Sequence, residues 1–221
     1  VSNGTIATHS VLHVGLDPSL GMQGQGVALC PLNLPGITKG KPLDKIGQRP
    51  LNQGEIFFED VHLPKQYMIR TPTTATSTAG GGGTPMGSMA VMFGGLARAA
   101  LDEAIQYART RIQGGVPIFE HKNIKLKLFE MFMMTESARS LARRLQLYNA
   151  KSGTSSMLHT MAGKWMSTET AFKVASEAIQ IYGGYGLTKE YVIEKLFRDA
   201  RAAMIEDGVN ETLALGVVDD I

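Results

Sequence analysis

Two adjacent carboxylates, Glu206 and Asp207, precede Gly208 and a short apolar segment near the end of the chain. By itself this pattern is typical of an exposed acidic pair at the start of a helix, where the helix dipole favours negative charge. The pair therefore gains a chemical role only if the segments around it supply one.

The other residues capable of chemistry predict no metal site. The single cysteine, Cys30, excludes an internal disulfide framework and a cysteine-clustered zinc site. His9 and His13 are four residues apart in a strand-like segment, where that spacing does not bring two ligands together as it would on a helix, and the other three histidines form no HExxH motif.

The nucleotide-binding and hydrolase motifs are also missing. Gly24-Gln25-Gly26 lacks the third glycine and the following helix of a dinucleotide fingerprint. The sequence has no Walker loop and no GxSxG elbow. P-loop, Rossmann and hydrolase folds therefore have no support.

The composition is that of an ordinary globular protein. Of 221 residues, 43% are hydrophobic and 19% charged, and the formal net charge is +2. No dense basic stripe, membrane-length apolar run or signal peptide occurs, so we expect no nucleic-acid partner, no membrane span and no secretion. The chain opens with Val1-Ser2 rather than Met, and we expect its natural N-terminus to be absent.

Short strands are predicted in the first third and helices beyond it. Residues 10–17, 27–34 and 55–61 hold β-branched or apolar residues between turn signals, which favours an antiparallel sheet. These strands are too few for a closed barrel, so we expect half of a sheet domain to be missing. Residues 71–83, rich in Thr and Gly, predict a flexible linker.

Helical periodicity begins at residue 84. In the first helix, one apolar stripe recurs at steps of three and four: Leu96, Ala97, Ala100, Leu101, Ala104, Ile105 and Ala108. The first helix is expected to stop at Gly114-Gly115, the third to run from about residue 155 to Gly183-Gly184, and a short last helix to have Asn210 as its N-cap. The predicted fold class is α+β: a partial antiparallel β-sheet domain (1–70), the linker, and a bundle of antiparallel helices (84–221).

Several segments, in order along the chain, resemble the acyl-CoA dehydrogenase family. The matching segments are residues 36–42, 45–49, 56–64, 97–111, the Arg-Ile-Gln-Gly-Gly-Val-Pro-Ile turn at 111–118, the Ala-Ile-Gln-Ile-Tyr-Gly-Gly-Tyr-Gly segment at 178–186, and Glu-Lys-Leu-Phe-Arg-Asp-Ala at 194–200. The resemblance implies the second half of the family's middle β-domain, followed by its four-helix bundle. We therefore expect the C-terminal portion of a larger flavoprotein.

The resemblance also implies a reaction and partners. Family members oxidise the Cα–Cβ bond of an acyl-CoA: a carboxylate removes the α-proton, and the β-hydrogen passes as hydride to N5 of FAD. The expected partners are an acyl-CoA, an electron-transfer flavoprotein as electron acceptor, and further copies of the chain in a homodimer or homotetramer. The expected compartment is the cytoplasm of a bacterium or the mitochondrial matrix of a eukaryote.

The base in the commonest family pattern is the Glu of a Tyr-Glu-Gly-Thr loop. Ungapped counting from Arg198-Asp199 places Asp207 on that position and Gly208 on the following glycine, so these two residues are expected at the substrate. Asp is shorter than Glu, and a misplacement of about 1 Å can lower a rate roughly a hundredfold. Glu206 therefore stays an alternative base. The first helix, the other place where members carry a base, has no carboxylate at residues 84–86.

The resemblance assigns FAD contacts to eight residues. Ser2 falls where the family faces the flavin with a hydroxyl, and Arg111 and Gln113 fall where it reaches the neighbouring subunit's FAD. Beside them, Gly114 replaces a usual aromatic residue. The remaining five positions are Gln180, Gly183 and Gly184 at the adenosine half, Val209 in place of a common Thr, and Asn210, whose polar side chain can substitute for the lost hydroxyl.

Two alternatives remain open at this stage. A nitroalkane-oxidase-like flavoenzyme fits because that branch of the superfamily uses an Asp as base. A non-catalytic assembly subunit of the same fold fits if the base has drifted out of use.

Overall fold

The computed structural model describes residues 1–71, 85–152 and 156–221, without the side chains of residues 22, 23, 85 and 86. The chain divides into two compact units, residues 1–79 and 80–221. Apart from Thr71, the predicted linker lies outside the described residues.

The first unit contains two small antiparallel sheets, as the sequence predicts. One has the order β1 (His9–Gly15), β2 (Gln25–Pro31), β5 (Met68–Arg70), and the other pairs β3 (Ile37–Lys39) with β4 (Ile56–Phe58). The segment predicted as a strand over 55–61 is therefore shorter than expected.

The inner face of the first unit is carried by β2. Gly26, Ala28 and Cys30 alternate along β2 and are buried, because successive side chains of a strand point to opposite faces. Ser2 lies in an isolated antiparallel bridge with Gln53, at the rim of this unit.

The second unit is built from helices. Their bounds are α1 (Pro85–Thr110), α2 (Lys122–Ser152), α3 (Met157–Tyr182), α4 (Ile193–Ala203) and α5 (Asn210–Leu215). Helix α3 is central, since it packs against each of the other four. The mixture of small antiparallel sheets and a helical bundle is the predicted α+β class.

Small side chains allow α1 and α3 to approach closely. The fully buried alanines include Ala97, Ala100, Ala104 and Ala108 on α1 and Ala171, Ala175 and Ala178 on α3. They recur at steps of three and four, which places each set on one face of its helix. The predicted stripe of α1 is thus its buried face.

Two expected element ends are wrong. Helix α1 ends at Thr110, not at Gly114-Gly115, because a hairpin follows it: β6 (Ile112–Gln113) pairs with β7 (Val116–Pro117). Gly114 and Gly115 have φ values of 62° and 81°, the geometry that two-residue hairpin turns require. Asn210 is the first residue of α5 rather than its cap, and Val209 takes the cap position.

Candidate active site and cofactor cleft

A cleft of about 730 Å³ lies where the β6–β7 hairpin, the start of α2 and the end of α3 meet. Its lining residues are Tyr107, Arg111, Gln113, Ile118, His121, Asn123, Ile124, Ile181, Tyr182, Gly183, Gly184, Tyr185 and Thr188. The structure therefore brings together four of the predicted cofactor residues, Arg111, Gln113, Gly183 and Gly184.

The end of α3 shapes one wall of the cleft. Gly183 ends the helix with φ 61° and ψ −139°, a backbone conformation that is strongly disfavoured for residues other than glycine. Its N–H donates to the carbonyl of Gln180, which lies exposed on the last helical turn. Gly184 follows with no side chain, so a ligand can approach the backbone closely here.

A cation and an aromatic ring face each other at the mouth of the cleft. The Arg111 guanidinium carbon lies 5.5 Å from the centre of the Tyr185 ring, within cation–π range. Tyr185 is 44% exposed. A guanidinium fork binds phosphate and an exposed ring can stack on a base, so this pair suits a nucleotide.

His121 holds the hairpin that carries Gln113. Its Nε2 lies 3.0 Å from the carbonyl oxygen of Gln113. A Cβ at Gly114 would lie 3.4 Å from the His121 ring, and the left-handed backbone there already favours glycine. The turn therefore explains why position 114 holds glycine instead of the family's usual aromatic residue.

Two tyrosines, Tyr107 and Tyr182, form the floor of the cleft, and Tyr191 packs against them. The rings of Tyr107 and Tyr182 stack with centres 4.0 Å apart, and Tyr191 meets both edge-on. The Tyr182 hydroxyl donates to the Glu103 carboxylate at 3.1 Å. Burial first, and Glu103 second, raise the pKa of Tyr182, and burial raises the pKa of Tyr107. Both phenols are therefore neutral at ordinary pH and the floor is apolar and stiff.

The second region is the acidic loop, residues 204–209, between α4 and α5. The N–H of Asn210 donates to the carbonyl of Met204 at 3.1 Å and closes it. Asp207 and Gly208 have φ values of 53° and 103°, so both are left-handed. Such backbone is uncommon for an aspartate and clusters at functional sites. Asp207 is exposed at the tip, whereas Glu206 is half-buried.

A buried lysine lies under the acidic loop. Lys164 on α3 is 1% exposed, and its Nζ donates to the carbonyl of Gly208. Burial lowers the pKa of Lys164, against the attraction of the Asp207, Glu206 and Glu211 carboxylates, which raises it. The ammonium is thus the positive counterpart of the loop's negative charge.

A second polar contact joins the acidic loop to α3. Asn210 is buried, and its Nδ2 donates to Thr168 Oγ1 at 3.0 Å. Thr168 Oγ1 in turn donates to the carbonyl of Lys164 at 2.9 Å. The Asn210 amide nitrogen is therefore engaged by α3, while Val209 is exposed. A cofactor role for either residue stays a prediction.

Ser2 belongs to the first unit, where its exposed hydroxyl accepts a hydrogen bond from Gln53 Nε2 at 3.4 Å. Across residues 1–71, 85–152 and 156–221 the structure contains no group of three or more His, Cys, Asp or Glu side chains able to hold a metal. Over the same ranges, no helix is both long and apolar enough to cross a membrane.

Comparison with known proteins identifies the family. The family model described as "Acyl-CoA dehydrogenase, C-terminal domain" matches residues 87–220. The short-chain-specific acyl-CoA dehydrogenase of Megasphaera elsdenii is 31% identical over 215 residues, covering 96% of this chain and 55% of that protein. The mitochondrial short-chain-specific acyl-CoA dehydrogenase of Rattus norvegicus is 33% identical over 215 residues, covering 96% and 51%.

A solved structure agrees with the sequence comparison. The butyryl-CoA dehydrogenase structure from Megasphaera elsdenii superposes with a TM-score of 0.85 at 30% identity, covering 98% of this chain and 57% of that one. The fold is thus a helical bundle preceded by small antiparallel sheets, as in this relative. The chain belongs to the acyl-CoA dehydrogenase family, and it spans about half the length of these relatives.

Sequence reasoning missed Lys164 and Thr168. The signal that could have found them is a charged residue on the buried stripe of α3, seven residues before Ala171. Tyr185 was also missed, although it lies inside the glycine segment that was singled out.

Proposed function

We propose that this chain is the C-terminal part of an FAD-dependent acyl-CoA dehydrogenase, with Asp207 as the base that removes the α-proton of the thioester. One observation carries the proposal: Asp207 is exposed at the left-handed tip of the acidic loop, at the position where the family resemblance places the base. An exposed carboxylate at this position can accept a proton from a substrate without first breaking a contact with the helices.

The backbone of the acidic loop fits a second role in the same step. Among the described residues, none accepts a hydrogen bond from the N–H of Asp207. Removing an α-proton places negative charge on the thioester oxygen, and a donor aimed at that oxygen stabilises it. We assign this role to the Asp207 N–H, with Gly208 allowing the substrate to approach.

FAD fits the cleft through its adenosine and pyrophosphate half. Arg111 and Gln113 would donate to the phosphates, Gly183 and Gly184 would let the cofactor approach the end of α3, and Tyr185 would offer a ring face. Bound FAD supplies the acceptor for the β-hydride at N5. Roles for Ser2, Gln180, Val209 and Asn210 beside the cofactor rest on the resemblance alone.

An assembly of identical chains is part of the proposal. Helix α2 exposes Leu126, Phe129 and Met133 at steps of three and four, with Phe129 62% exposed. Contiguous apolar surface of this kind marks an interface. A homodimer or homotetramer would cover it. The electron-transfer flavoprotein as acceptor, and a bacterial cytoplasmic or mitochondrial matrix location, follow from the resemblance.

The test is the visible spectrum of the full-length protein. We expect a flavin band at roughly 450 nm that bleaches when acyl-CoAs are added without oxygen. A band that bleaches with a nitroalkane and never with an acyl-CoA would instead favour the nitroalkane-oxidase-like alternative, to which the Asp at the base position points. A protein that binds acyl-CoA but holds no reducible flavin would be the non-catalytic subunit, and the proposed activity would be wrong.

A further inference from the structure

We propose that Lys164 is a positioning residue: together with the Asn210–Thr168 hydrogen bond, it clasps the acidic loop onto α3 and fixes where the Asp207 carboxylate stands. We call Lys164, Thr168 and Asn210 the clasp. Its catalytic consequence rests on the proposed function, whereas its effect on the order of the loop does not.

The burial of the clasp is unusual for such polar groups. Lys164 is 1% exposed, Thr168 is fully buried, and Asn210 is 3% exposed. Lysine is almost never fully buried unless it is paired. Here all three side chains lie where the loop meets α3, so three of the buried polar side chains are grouped at this junction.

The two contacts hold one short segment that directly follows Asp207. Lys164 Nζ binds the carbonyl of Gly208, the residue after Asp207, and Thr168 Oγ1 binds the Asn210 side chain two residues further on. Because Lys164 and Thr168 are four apart on α3, they present one ridge to the loop. Asp207 can then keep its left-handed backbone, which a loop without such contacts would relax.

Charge gives the clasp a second effect. Glu206 and Asp207 are adjacent, and Glu211 lies on the first turn of α5. All three carboxylates attract the Lys164 ammonium. A cation on the inner side of the loop reduces the repulsion between neighbouring carboxylates, which would otherwise push the loop open.

Burying the ammonium costs several kcal/mol, and replacing a buried ion with an apolar side chain of similar size is often neutral for stability. We therefore expect Lys164 to fix the conformation of the loop and to contribute little to the stability of the helical bundle. A misplacement of about 1 Å at a reacting group can lower the rate roughly a hundredfold. We expect its removal to slow proton abstraction without weakening acyl-CoA binding.

The experiment compares Lys164→Met with Lys173→Met in the full-length holoprotein. Lys173 lies on the same helix, is exposed, and contacts Glu169 at 3.8 Å. We expect Lys164→Met to speed hydrogen–deuterium exchange across residues 204–213 about tenfold or more and to lower kcat for flavin reduction roughly a hundredfold, with KM unchanged. Exchange in α1 and in residues 171–182 should stay as in the wild type, and Lys173→Met should change neither quantity.

A second pair of variants separates the parts of the clasp. Lys164→Gln keeps a hydrogen-bond donor without the charge, and we expect an intermediate effect. Thr168→Val removes the hydrogen-bond partner of Asn210 at nearly equal side-chain size. We expect it to speed hydrogen–deuterium exchange over residues 204–213 by a smaller factor than Lys164→Met. If Lys164→Met does not fold, this variant tests whether the clasp orders the loop.

Two results would overturn the clasp: unchanged exchange over residues 204–213, or faster exchange spread evenly over all helices, which would make Lys164 a structural residue only. If the wild-type flavin is never reduced by an acyl-CoA, the proposed function is wrong, and the exchange comparison alone decides whether the clasp holds the loop.

Discussion

The acidic loop and the cleft are built in opposite ways. The loop is held by buried polar groups: Lys164 and Thr168 reach it from α3, and Thr168 binds the buried side chain of Asn210. The cleft stands on buried tyrosine rings, and its polar groups, Arg111 and Gln113, lie on the solvent side.

The difference is what we expect from the roles proposed for the two regions. A catalytic base must be positioned to within a fraction of an ångström of the proton that it removes. Buried contacts that fix the loop can therefore be retained although burying their polar groups costs free energy. A cofactor's phosphates are bound by several donors together, so partly exposed side chains on a stiff floor suffice. We therefore expect substitutions at the loop to change rates and substitutions at the cleft to change affinity.

The largest effect is expected at the tip of the loop. Asp207→Asn keeps the shape but removes the base, and it should lower the rate of flavin reduction by about a hundredfold to ten-thousandfold. Anaerobic stopped-flow absorbance of the full-length protein measures it. Glu206→Gln is the matched control, because Glu206 is the half-buried neighbour. It should keep most of the activity, and the reverse pattern would move the base to Glu206.

The next effect is expected in the cleft. Arg111→Ala removes charge-assisted hydrogen bonds worth about 1.5–3 kcal/mol, which corresponds to roughly a tenfold to hundredfold loss of FAD affinity. Titration of the apoprotein with FAD measures it. Arg109→Ala is the control, since Arg109 stacks over Phe119 and does not line the cleft. Equal losses in both variants would show that the cleft does not hold the phosphates.

The elements with a periodic apolar pattern could be predicted from the sequence. The alanine stripe of α1 and the glycine end of α3 are local patterns, and both are where they were expected. The hairpin after Thr110 was missed because two-residue strands carry no periodic signal and Gly114-Gly115 also reads as a helix stop.

The candidate site was predictable only in part. Arg111, Gln113, Gly183 and Gly184 were grouped by the family resemblance, and the structure places them around one cleft. Lys164 was not found: the local pattern shows only a charged residue on the buried face of α3, and the contact with Gly208, 44 residues away, is not encoded there. The roles of all the predicted catalytic, substrate and cofactor residues stay predictions.

Two glycines sharpen the contrast between the regions. A Cβ at Gly208 would lie 2.9 Å from Leu213 Cδ2, and φ there is 103°, so Gly208→Ala should destabilise the protein by about 1–3 kcal/mol. A Cβ at Gly184 would meet nothing within 4 Å. Gly184→Ala should leave urea unfolding unchanged while weakening FAD binding, because its methyl group would stand in the cleft. If both substitutions lowered the free energy of unfolding equally, the proposed difference between the loop and the cleft would be wrong.

The smallest effect is expected from the floor of the cleft, on the alkaline side. Burial and Glu103 raise the pKa of Tyr182 above the ordinary tyrosine value of 10.0. Below pH 10 the folded and unfolded states both keep the proton, so Tyr182 adds no pH dependence. Above it the unfolded state ionises first, the folded state binds more protons, and the free energy of unfolding falls as pH rises.

Tyr182→Phe isolates this contribution of the floor. The difference in free energy of unfolding between wild type and variant should be constant from about pH 8 to pH 10 and should shrink above it. Lys164, whose lowered pKa works in the opposite direction over part of this range, cancels in the difference because both proteins contain it. Urea unfolding at a series of pH values measures the two curves. Curves that stay parallel to pH 11 would mean that water reaches the Tyr182 hydroxyl, and the floor would then be as open as the mouth of the cleft.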